Sequence, residues 1–149
     1  MKKLLALLIL AGMLVSSASA VEIEEFNVYA SFMGASDLGE PNQTKETSGG
    51  TLIQYVSDGT RVIFREDGGK LKAVYVIGEG DAFLQYSAAT MAFIDTDTKN
   101  AMENFGGLLY YYLRAHTSSD PQVGYLASGA VYGVEKKESG YQFIVRIDN

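Results

Sequence analysis

The chain contains no cysteine and no tryptophan, with one histidine and two prolines in 149 residues. Without cysteine there is no disulfide, no thiolate metal site and no attachment point for a lipoprotein anchor. A single histidine excludes a zinc site built from several, although an oxygen-only site stays open. Positive charge is also scarce, at 12 Lys and Arg against 18 Asp and Glu. That balance argues against a nucleic-acid partner, where affinity comes largely from cations neutralising phosphates, and against anionic membrane surfaces.

The only long apolar run is at the N-terminus. Lys2 and Lys3 precede the apolar stretch Leu4 to Val15, and Ala18-Ser19-Ala20 follows as a small-x-small cleavage pattern. This reads as a secretory signal peptide over residues 1–20, cut after Ala20, because the run is too short for an ordinary spanning helix. Loss of Lys2 and Lys3 leaves an acidic mature chain of about −8 by simple counting. The expectation is one exported domain over residues 21–149, in a periplasm, at a cell surface or outside the cell, with no mature membrane anchor. A domain of this size buries a core without staples.

Two helices in succession organise the mature chain, Asp81 to Ile94 and about Thr98 to His116, linked by Asp95-Thr96-Asp97. In the first, Ala82, Phe83, Tyr86, Ala89, Thr90 and Phe93 recur at helical spacing, with Asp81 as the expected N-cap. In the second, Met102, Phe105, Leu109, Tyr112, Leu113 and His116 form the stripe expected to face the core. Gly106-Gly107 costs about 1 kcal/mol per glycine relative to alanine, which suggests close packing against the sheet or the first helix. The run Ser118-Ser119-Asp120-Pro121 ends the helix.

Residues 21 to 34 fit both a helical and a strand pattern. Glu24 and Glu25 in a first turn and Gly34 as a stop favour a short helix. Residues 35–50 are polar and read as a long, mobile loop. A three-strand meander follows, Thr51 to Ser57, Thr60 to Arg65 and Leu71 to Ile77, with Asp58-Gly59 as a tight type I′ turn. After the helices come a fourth strand, Gly124 to Glu135, and a fifth, Tyr141 to Ile147. The small residues Ala127, Gly129 and Gly133 of the fourth suggest a face on which a helix lies close. The expected fold is α+β, a roughly five-stranded antiparallel sheet with helices on one face.

No catalytic, cofactor-binding or metal-binding residue is assigned. Asp95-Thr96-Asp97-Thr98-Lys99-Asn100 begins like a calcium loop, but Lys99 takes a ligand position and the glutamate that should close the loop is missing. Helix capping accounts for these side chains more simply. The remaining signal is tyrosine. Tyr110, Tyr111 and Tyr112 point about 100° apart on a helix, so at least one reaches the boundary or the surface. These three form the candidate binding surface, for a protein, peptide or glycan partner; the lack of tryptophan weakens the glycan version. The first reading is therefore an exported, non-enzymatic binding or interaction domain. The alternatives are a small exported hydrolase using carboxylates or His116, and an inhibitory or structural partner that pairs through a sheet edge.

Overall fold

The computed structural model describes residues 21–147. The leader reading over residues 1–20 lies outside the described residues. The order of elements is α1 (Ile23–Phe32), β1 (Gln43–Thr47), β2 (Gly50–Ser57), β3 (Thr60–Asp67), β4 (Lys70–Gly78), α2 (Gly80–Ile94), a 3-10 turn (Thr98–Asn100), α3 (Ala101–Thr117), β5 (Gln122–Tyr125), β6 (Val131–Lys137) and β7 (Gly140–Arg146). All neighbouring strands are antiparallel, in the order β1-β2-β3-β4-β7-β6-β5. The class is α+β, as the pattern of elements implies.

The sheet has seven strands rather than five, for two separate reasons. The expected loop over residues 35–50 contains β1, whose Gln-Thr-Lys-Glu-Thr is exposed at every position. With no apolar face to bury, its sequence carries no alternation to read. The stretch before β1 is tied down as well, since Asn27 bonds both the N–H and the carbonyl of Leu38, and the Tyr86 hydroxyl donates to Ser36. The expected fourth strand, in turn, is two strands. It breaks at a turn where Gly129 has a φ of 100°, and the Leu126 N–H reaches the Ala130 carbonyl. Gly129 therefore serves the turn and meets no helix, correcting the close-packing role expected of it.

The Asp58-Gly59 turn forms as expected, with φ of 51° and 73°. Residues 23–32 are a helix, and its stripe of Phe26, Tyr29, Ala30 and Met33 lies against the core. Helix α2 begins at Gly80 with Glu79 at the cap position. Asp81 is not the N-cap but stands in the first turn, where its charge suits the positive helix end. The core lies between the sheet and the three helices. Phe26, Phe64 and Tyr55 meet edge to face at 5.2 and 5.8 Å, while Phe83, Phe143 and Tyr132 fill the other half.

Candidate functional site

Helix α3 is turned about its axis relative to the expected stripe. Its fully buried positions are Asn104, Leu108 and Ala115, with Tyr111 and Tyr112 packed beside them. Of the expected stripe Tyr112 packs inward, whereas Met102, Phe105, Leu109 and Leu113 lie along the outward side, Met102 84%, Leu113 67%, Phe105 39% and Leu109 37% exposed. The physical reason sits beneath the helix. Asn104 donates to the buried Asp95 at 2.9 Å and accepts from the Ala127 N–H, so a polar knot joins the apolar contacts of Leu108 and Ala115 in holding this side of α3 inward. Asn100 and the Ser128 N–H also donate to Asp95. Burial alone raises the Asp95 pKa, but the bonds from Asn104, Asn100 and the Ser128 and Asp97 N–H groups outweigh it and hold the carboxyl below the ordinary value. Asp95 is thus a structural anion, and Asp97 is the cap, accepting from the Lys99 N–H.

The three tyrosines separate. Tyr110 is half exposed, takes a hydrogen bond of 2.9 Å from Arg114, and has that guanidinium 5.6 Å from its ring centre. Tyr111 packs edge-on to the buried Tyr132 at 5.9 Å. Tyr112 packs on Tyr141 at 4.8 Å and on Phe83 at 5.9 Å. Burial raises the Tyr112 pKa, helped by Tyr141, Asp81 and Glu79. Of the candidate surface Tyr110 is the most exposed, next to the Met102–Leu113 line.

Tyr132 explains one of the two mid-helix glycines. A Cβ on Gly107 would lie 2.5 Å from its hydroxyl, and a Cβ on Gly124 of β5 would lie 2.6 Å from its ring. The ring is clamped between α3 and the edge strand, and its phenol is pushed up to about 12, first by burial and then by Tyr111. Nothing lies within 4 Å of a Cβ on Gly106, which points outward. Close packing therefore applies to Gly107 alone.

His116 stands at the rim of an open cleft of roughly 600 Å³, shared with Glu79, Tyr112, Lys136, Lys137 and Tyr141. Its Nδ1 meets the Tyr141 hydroxyl, and the two rings stack with 18° between planes. The Ser118 hydroxyl accepts from the Asp120 N–H, closing a local turn. The residues adjacent in sequence thus do not assemble around the imidazole.

Sequence reasoning missed a second apolar surface, the sheet face away from the helices. Alternation puts Ile63, Tyr75 and Ile144 in one cross-strand row there, with Arg65 and Arg146 flanking Ala73 in the next. Val123 and Tyr125 of β5 extend it to the edge, 53% and 70% exposed. Alternation along a strand separates its two faces; which residues stand side by side depends on strand order. Among the described residues no helix is long and apolar enough to cross a membrane. No protein-family model, curated protein or solved structure matches the chain.

Proposed function

We propose that the chain is an exported, non-enzymatic interaction domain that meets a protein partner through the outward side of α3. The observation that carries this reading is the solvent-facing line of Met102, Phe105, Leu109 and Leu113. Their spacing of three and four residues is that of a helix made to enter an apolar groove or pair with another helix. Contiguous exposed apolar surface of this kind marks interaction sites on folded proteins. Tyr110 supplies an aromatic neighbour already oriented by Arg114, and tyrosine and arginine are enriched where partners bind most tightly. The leader-like N-terminus supports an encounter outside the cytoplasm.

The test is site-specific photo-cross-linking in the native exported fraction, with the reactive group at position 113 or, as a control, at exposed Lys70. An adduct of defined mass is expected from position 113 only, and it should be lost when Met102→Ser and Leu109→Ser are combined. An adduct of twice the chain's mass would name a second copy as the partner. Identical adducts at both positions, or none at either, would overturn the reading.

A further inference from the structure

We infer that Glu66 is the docking site of the α-amino group created when the leader is removed. The inference rests on cleavage after Ala20, which makes Val21 the first residue of the mature chain. The Val21 nitrogen donates to Glu66 Oε1 at 3.1 Å, across 45 residues of sequence and within the protein interior. Both ends are held. The Val21 side chain is 3% exposed and belongs to the core, and Glu66, at 8%, lies on the helix side of the sheet near the end of β3. The Tyr55 phenol senses the carboxylate, since its pKa is raised first by burial and then by the charge of Glu66.

Before cleavage the Val21 nitrogen is an amide and the contact is a hydrogen bond to a neutral donor. Hydrolysis of the Ala20–Val21 peptide bond consumes one water, leaves the new carboxylate on the released leader, and gives Val21 an amine that takes up a proton at neutral pH. The same nitrogen then becomes a cationic donor facing a carboxylate, and charge-assisted bonds are roughly twice as strong as neutral ones. A cationic donor offsets part of the cost of burying a carboxylate charge. Chain ends fray unless tied down, and this pair would tie the end directly ahead of α1. Removal of the leader would thereby stabilise the finished fold in addition to releasing it.

The experiment is a double-mutant cycle on the exported chain. Intact mass first establishes whether its N-terminus is Val21. Thermal unfolding is then compared for chains beginning at Val21 or at Ala20, prepared from tagged precursors, each with Glu66 and with Glu66→Gln. The expected result is that the extra alanine lowers the melting temperature by several degrees with Glu66, and hardly at all with Glu66→Gln. That non-additivity isolates the pair from the packing of either residue. An equal cost in both backgrounds, or none in either, would overturn the pair while leaving export intact. A mature chain that begins at another residue would overturn the cleavage reading itself.

Discussion

Two adjacent glycines of α3 have opposite roles. Gly107 makes room for the Tyr132 hydroxyl, whereas Gly106 faces open space. Gly106→Ala should therefore stabilise the protein by up to about 1 kcal/mol, the ordinary gain in helix propensity. Gly107→Ala should destabilise it by about 1–3 kcal/mol, because overpacking a tight contact outweighs that gain. Tyr132→Phe should recover part of the Gly107→Ala loss by removing the crowding oxygen. Urea unfolding of the variants checks the three expectations together. The sequence marked both glycines as costly but could not distinguish them, since the distinction depends on a ring located 25 residues further along the chain.

Helix α3 shows where reading an element from periodicity reaches its limit. Its apolar residues recur with good helical spacing, and the helix forms where expected. Periodicity reports that an apolar side exists; it does not report whether that side meets the core or another protein. The inward side carries Asn104, a polar residue absent from the stripe, bonded to Asp95 and Ala127, with Leu108 and Ala115 buried alongside it. The two arrangements make opposite predictions. Leu113→Ser should change stability by no more than about 0.5 kcal/mol, as for most surface substitutions, while Leu108→Ala should cost about 2–5 kcal/mol. Chemical denaturation of the two variants decides which side of α3 is inside. In α2 the spacing found Phe83, Tyr86, Ala89 and Thr90 of the buried side but not Ser87, Ala88 and Met91, which are buried because the helix is covered over more than one stripe. In β1 nothing was legible, because an exposed polar edge strand is held by its ladder to β2 and by polar bonds such as Thr51 to Glu46, and carries no apolar alternation. Its Lys45 and Glu46 suit an edge that discourages further pairing.

At the scale of the whole molecule, every neighbouring pair among the described strands but one is a hairpin. The exception is β4 with β7, whose register aligns Gly78 with Tyr141 across both helices and roughly sixty residues. Local pairs form at little entropic cost, and distant ones must wait for the loop between them to close. Val62→Ala, inside the β2–β3 hairpin, should mainly slow folding. Val145→Ala, at the β4–β7 junction, should mainly speed unfolding, with each costing on the order of 1–3 kcal/mol. Stopped-flow folding and unfolding rates across a denaturant series would separate the two. The order of the sheet also has a consequence for assembly. Of the described strands β7 comes last in sequence, yet it occupies an interior position in the sheet rather than an edge. The hairpins of β1 to β4 can pair early, but the open side of β4 stays unpaired until β7 docks against it. A chain in which β7 failed to dock would be left with a bare edge on β4 and another on β6, where the sheet should continue.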